Sequence, residues 1–404
     1  MMTSRVLITV ILVSTTACAR LGDSAALPGA PATMAVRDIA RFKTLWEFNG
    51  SDGCDPQSEL VAIGHELYGT TSCGGRFGNG TIYTMGRGDR VRDFHDFEKD
   101  GKAPLSQLVL VGDTLYGTTY SGGKKGNGTV YSIDAATGKE QWYYSFKGAP
   151  DGANPNGGLL DLNGTLYGTT ASGGTGCSSS GNGCGTVFTI STSGTEQVIY
   201  SFQGGGDGAG PVGTLTDVGG ALYGATQGAE TGETGTVFSV TPYGVERPLH
   251  AFTGSADDGL YPTGNLIFAH DKLFGTTELG GATDKGTAYS ITTSGQFKIV
   301  HSFGGIHGGD GWWPDAGFAT FDGKFFGTTD KGGDYSCGGE DGCGVVYVLK
   351  ANGDEKVIHS FEGGSGGSEP IAPLLARGGT LYGTTAEGGM GGSKNFGTIF
   401  TITP

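Results

Sequence analysis

Short apolar runs alternate with glycine-rich turns along most of this chain, and the runs recur in a fixed order. In one stretch, Gly158 to Leu162 is a brief apolar run and Asn163-Gly164 is a two-residue hairpin signal. Thr165 to Thr170 follows, then a glycine-rich loop, then Gly185 to Ile190, then a turn at Thr192 to Gly194, and last Gln197 to Phe202. Within Thr186 to Ile190 the positions alternate, with Val187 and Thr189 on one side and Phe188 and Ile190 on the other. This predicts four short antiparallel strands in a meander. No 3.6-residue period is present to suggest helices.

The same unit returns seven times. The phrase L-Y-G-T-T or a variant begins at Leu67, Leu115, Leu166, Leu222, Leu273, Phe325 and Leu381, at intervals of 48 to 56 residues. A second phrase, G-T-V-F or a variant, begins at Gly80, Gly128, Gly185, Gly235, Gly286, Gly344 and Gly397. Four strands in a unit of about 50 residues make the blade of a β-propeller. The fold class is therefore all-β, a seven-bladed propeller of four antiparallel strands per blade. The glycine inside L-Y-G-T-T, Gly168 in the third unit, is read as room for a neighbouring sheet.

The ends predict how the ring closes. The last unit stops at Ile402-Thr403-Pro404 without a fourth strand. Thr44 to Phe48, ahead of the first unit, matches the fourth strand of other units, such as Ile199 to Phe202. The amino-terminal strand should complete the last blade and remove an open edge.

Composition narrows the class further. Glycine reaches 81 of 404 residues, yet without an every-third-residue pattern, so collagen is excluded. The formal net charge is −15 and no basic cluster stands out. Nucleic-acid binding needs a positive footprint and is rejected.

The amino terminus reads as a secretion signal over residues 1–17. Arg5 precedes the apolar run Val6 to Val13, and Thr15-Thr16-Ala17 supplies small residues before Cys18. The run is too short to span a bilayer as a mature helix. T-T-A-C resembles a lipobox with Thr15 where that motif has Leu, which makes Cys18 the expected lipidation site; the alternative is simple secretion after cleavage at Ala17. Residues 18–40 read as a tether and 41–404 as the propeller. Of seven cysteines, Cys54 and Cys73, Cys177 and Cys184, and Cys337 and Cys343 form local pairs and leave Cys18 over. Such pairs imply an oxidising, extracytoplasmic compartment.

The combined pattern S-F-x-G, D-G-x-x-P, L-Y-G-T-T-x-x-G-G and G-T-V-F resembles the bacterial tandem-repeat family called GloVer. The likeness covers nearly all of Arg41 to Pro404. It implies an envelope or secreted protein and carries no activity across.

The candidate chemistry is sparse. D-G-x-x-P occurs at Asp52, Asp100, Asp151, Asp207, Asp258 and Asp310, with Gly366 in the seventh unit. It reads as a repeated turn rather than a ring of carboxylates for cations. No cofactor is implied, although a structural cation such as calcium is compatible. His95, His250, His301 and His359 share a fourth-strand position with Trp46, Tyr144 and Tyr200, which reads as a packing position rather than a metal ligand. The loops between strands two and three and between strands four and one should emerge on one face. Non-repeating residues gather there, and Trp312, Trp313, Tyr261, Tyr335 and Arg76 are the candidate ligand-binding residues. The leading expectation is a monomeric, non-catalytic binding or scaffold module for an extracellular glycan or protein, touching the membrane only through its lipid. The alternative is a polysaccharide lyase or hydrolase with His307, Asp310 and Tyr335 as acid–base candidates.

Overall fold

The computed structural model describes residues 40–177, 181–228, 233–304, 309–333, 341–389 and 395–404. The expected signal, Cys18 and nearly all of the tether lie outside the described residues, as do His307, Tyr335 and Cys337. Seven four-stranded antiparallel sheets follow one another along the chain. Blade 1 is Val61–Ile63, Glu66–Thr71, Thr81–Met85 and Val91–Asp96, innermost strand first. Blade 3 is Leu160–Leu162, Thr165–Thr170, Thr186–Ser191 and Glu196–Ser201, within two residues of the expected bounds at every end. Blade 7 is Leu375–Arg377, Thr380–Thr385 and Thr398–Thr403, completed by Arg41–Glu47 from the other end of the chain. That strand runs antiparallel to the last, with Arg41 opposite Thr403 and Thr44 opposite Phe400. The fold is a seven-bladed β-propeller. Among the described residues no helix is long and apolar enough to cross a membrane.

The middle strands are buried on both faces, which explains why their alternation is of size rather than polarity. Each apolar cluster lies between successive blades. Tyr116, Val130 and Phe146 of blade 2 pack with Leu159, Leu166, Phe188 and Ile190 of blade 3. The phenylalanine that ends each outer strand meets the aromatic of the next blade's third strand edge-on. Phe146 and Phe188 lie 5.1 Å apart at 71°, Phe97 and Tyr131 4.9 Å apart at 65°. The glycine of L-Y-G-T-T belongs to this contact, and here the sequence expectation needs correcting. Gly168 stands opposite Phe188 in its own sheet, and a Cβ on it would lie 2.6 Å from the Phe188 ring. It makes room for an aromatic of the same blade, not for a neighbouring sheet.

The paired threonines have a separate task. The hydroxyls of Thr170 and Thr186 bond across the sheet at 2.7 Å, and Thr170 Oγ1 also donates to the Ser172 carbonyl. Both threonines are fully buried, so these bonds satisfy groups that would otherwise be stranded. They hold the end of the strand where the loop face begins.

Candidate functional site

The two kinds of loop do emerge together. Cys54 pairs with Cys73, Lys102 with Ser121, Trp312 with Lys331 and Ser368 with Glu387, each joining a D-G-x-x-P loop or its equivalent to the loop after the Thr-Thr pair. Disulfides close Cys54 to Cys73 and Cys177 to Cys184. Cys343 is also disulfide-bonded; its expected partner, Cys337, lies outside the described residues. The residue before each loop proline has a left-handed φ: Asp55 55°, Ala103 55°, Asn154 56°, Gly210 62°, Tyr261 57°, Trp313 55° and Glu369 59°. One backbone path thus carries seven different residue types.

Past that proline each chain turns into its inner strand, and the seven turns ring a cavity of about 490 Å³. Trp313 lines it, with Gln57, Gln107, Asn156, Gln227 and Asn265 supplying amides, and Glu59, Glu278, Asp315 and Asp330 supplying carboxyls. The carboxyls are the unusual feature. Burial pushes Glu59 up to about 7 and Asp330 up to about 6. Asp315 rises well above the usual range, first through burial and then through Asp330 and Glu278. Lys331 tempers the cluster, with its Nζ 3.5 Å from Asp330 and bonded to Glu369. Burial would lower Lys331, yet these two carboxylates hold it above its ordinary value. Near neutral pH the cavity therefore holds both protonated and ionised carboxyls.

The repeat model described as Gloeobacter/Verrucomicrobia repeat matches residues 33–181 and 175–340. The chain belongs to that family. Solved structures share its fold at low identity. BamB from Moraxella catarrhalis is 15% identical over 89% of this chain and 88% of its own, with a TM-score of 0.50. A europium-containing methanol dehydrogenase is 11% identical, with coverage of 91% and 94% and a TM-score of 0.50. A puromycin hydrolase mutant complexed with PGG is 14% identical with a TM-score of 0.53; the match takes in 83% of this chain but only 50% of the hydrolase. No curated protein matches by sequence.

Against this family's repeated frame, the residues singled out from sequence separate. Trp313 reaches the cavity, but Trp312 does not. Trp312 stacks beside Trp313 with centroids 5.5 Å apart, carries the Lys285 ammonium 3.4 Å from its ring centroid, and donates Nε1 to the Asp341 carbonyl at 3.2 Å. Tyr261 holds the position equivalent to Trp313 one blade earlier and is half-buried, outside the cavity lining. Arg76 is exposed and lies toward the outer edge, where its N–H donates to Asp96 of the outer strand at 2.8 Å. Asp310 points outward too: it accepts from Gly304 N at 2.8 Å and bonds His301 at 2.7 Å. The other D-G-x-x-P aspartates likewise accept a backbone N–H, Asp151 from Lys147 at 2.9 Å for example, so the turn reading describes them. Gln227, Glu278 and Asp330 were missed because they stand immediately after the phrase L-Y-G-T-T or its variant. Comparing the copies just past it (Ser72, Tyr120, Ala171, Gln227, Glu278, Asp330, Ala386) exposes the variation that marks them; Asp315 and Glu59 instead follow the loop proline by one and three residues.

Proposed function

We propose that this protein is an extracytoplasmic binding module, held at the envelope through Cys18, that takes the end of a glycan in its central cavity. The observation that supports it is the contrast between loop backbone and loop side chains. The seven proline loops of one conformation, with the residues just past the Thr-Thr pairs, present an indole, five amides and four carboxyls to a single cavity. An aromatic face with amide and carboxyl groups around it suits a polyhydroxylated ligand, whose ring faces are apolar and whose rim is hydrogen-bonding. The disulfides at Cys54–Cys73, Cys177–Cys184 and Cys343 fit the oxidising compartment where such ligands occur.

The test is a glycan array with the folded chain, followed by calorimetry on any hit. Trp313→Ala and Gln227→Ala should each weaken binding about tenfold or more, roughly 1.4 kcal/mol, while the melting temperature barely changes. A wild-type protein that retains no glycan, or variants of unchanged affinity, would defeat the reading. The hydrolase reading has one observation in its favour, the buried Glu59 in the cavity lining, whose carboxyl burial pushes up to about 7, since a raised carboxyl can act as general acid. Turnover of a bound glycan that vanishes in Glu59→Gln with affinity retained would select it.

A further inference from the structure

The seams between blades carry a second, independent pattern. In six of the seven outer strands the residue two before the final phenylalanine bonds the aspartate of the following loop. Trp46 reaches Asp52 at 3.0 Å, His95 reaches Asp100 at 2.9 Å, Tyr144 reaches Asp151 at 2.8 Å and His250 reaches Asp258 at 2.9 Å. So the histidine position is polar as well as packed, which the sequence reading did not foresee. Only His359, which faces the unit with Gly366, lacks that aspartate.

The next blade lays the first residue of its own outer-strand core across this pair, and its identity decides the chemistry. Where it is phenylalanine, the imidazole stacks on it. His250 and Phe297 lie 4.0 Å apart at 1°, and Phe42 and His359 3.8 Å apart at 9°. Where a tyrosine meets a glutamate, the phenol bridges two carboxylates. Tyr144 Oη stands 2.8 Å from Asp151 and 3.0 Å from Glu196. Tyr200 Oη bonds Asp207 and lies 3.4 Å from Glu246.

Two seams combine histidine with glutamate: His95, Asp100 and Glu140, and His301, Asp310 and Glu355. An imidazole is shorter than a phenol. It bonds the aspartate, and no bridging oxygen stands between aspartate and glutamate. One ligand atom from each of the three residues still lies within 4.8 Å of the others. Glu355 Oε1 is buried without a hydrogen-bond partner.

We propose that these two seams are binding sites for a divalent cation of the zinc class, the ion standing where the phenol oxygen stands in the Tyr144 and Tyr200 seams. One imidazole nitrogen and two carboxylate oxygens are a zinc-type donor set, with water completing a tetrahedron. The dication neutralises both carboxylates. Bonds of about 2.0–2.2 Å put tetrahedral ligands roughly 3.3–3.5 Å apart. The His–Asp contacts, 2.9 and 2.7 Å, open by about half an ångström to reach that, and the glutamate oxygen, already within 4.8 Å of both partners, closes in to the same spacing. Without the ion, two close carboxyl groups face each other in a seam largely shut off from water.

The molecule supplies its own controls. The His250 seam has the same His–Asp pair but Phe297 in place of glutamate and should hold no ion. Tyrosine at the histidine position is already tolerated twice, so His95→Tyr and His301→Tyr remove a ligand while restoring a bridge the fold uses. The experiment is equilibrium dialysis of the full, disulfide-intact chain against zinc chloride, with elemental analysis of bound metal. The melting temperature is followed with and without zinc. Two equivalents are expected for the wild type, one for each single variant and none for the double variant. Zinc should raise the melting temperature of the wild type and leave the double variant unmoved. Fewer than two equivalents in the wild type overturns the proposal. So does zinc retained by a double variant that melts like the metal-free wild type.

Discussion

At the scale of single residues, the phrase L-Y-G-T-T is a packing instruction. Its glycine is the flat spot over which the third-strand aromatic lies, and no methyl group fits there. Gly168→Ala would place a Cβ 2.6 Å from Phe188 Cζ and 2.9 Å from Leu159 Cδ2. Overpacking of this kind costs about 1–3 kcal/mol, so the variant should melt several degrees below the wild type. Gly206→Ala is the control. Nothing lies within 4 Å of its added carbon and its φ is not left-handed, so its melting temperature should not move. Equal effects at both positions would remove the packing explanation. The cavity was harder to read than the frame. Trp313 declared itself as an indole in a turn of small residues. Glu59, Glu278, Asp315 and Asp330 did not, because an acidic residue in a chain of net charge −15 is unremarked until the fold brings four of them to one hole.

At the scale of elements, the outer strands hold the seams together with buried carboxyls, and this sets an uncommon pH dependence. Burial, the largest cause in each case, raises Glu140, Glu196 and Glu355 to about 7 and Glu246 to about 8. In the unfolded chain these groups ionise near 4.5. Between those values the folded state binds more protons than the unfolded one, so stability falls as pH rises. His359 works the other way. Burial lowers it to about 4, so its contribution is lost as pH falls below its ordinary value of 6.5. Four glutamates outweigh one histidine, and the metal-free protein should melt at a lower temperature at pH 8 than at pH 5.5. Glu196→Gln should shallow that slope, because its amide N–H can still donate to the Tyr144 hydroxyl, whose own proton goes to Asp151, but nothing at position 196 then titrates. A melting temperature that climbs steadily from pH 5.5 to 8 would contradict the protonated seams. Strand order and the loop face were legible beforehand, since they follow from the repeat itself. The seam chemistry was not, since it joins position Tyr144 of one copy to position Glu196 of the next, 52 residues away.

At the scale of the whole molecule, the ring depends on a strand borrowed across its ends. Arg41–Glu47 covers the edge of Thr398–Thr403, and its aromatics bind three places at once. Phe42 stacks on His359, Trp46 donates to Asp52, and Phe48, 1% exposed, meets Tyr83 of blade 1 at 5.1 Å. Deleting residues 41–47 should therefore do more than trim an end. It bares a strand edge in blade 7 and uncovers His359, and exposed edges of this kind recruit other chains. The shortened protein should melt at a distinctly lower temperature and associate as its concentration rises. A peptide of residues 41–48 added in trans should reverse both effects. The sharper question is whether closure itself matters, or only a complete blade. Arg41 lies opposite Thr403, so in a chain that starts at Arg41 a short Asn-Gly turn can join these two ends of the propeller. New ends can then be opened between Gly205 and Gly206, in the loop between blades 3 and 4. Every sheet of that permutant is whole, but the ring now closes on side-chain packing alone, without a strand shared across the gap. It should fold as a monomer, unlike the deletion, and melt below the natural arrangement. A permutant as stable as the parent would show that whole blades suffice and that the borrowed strand protects an edge rather than locking the ring.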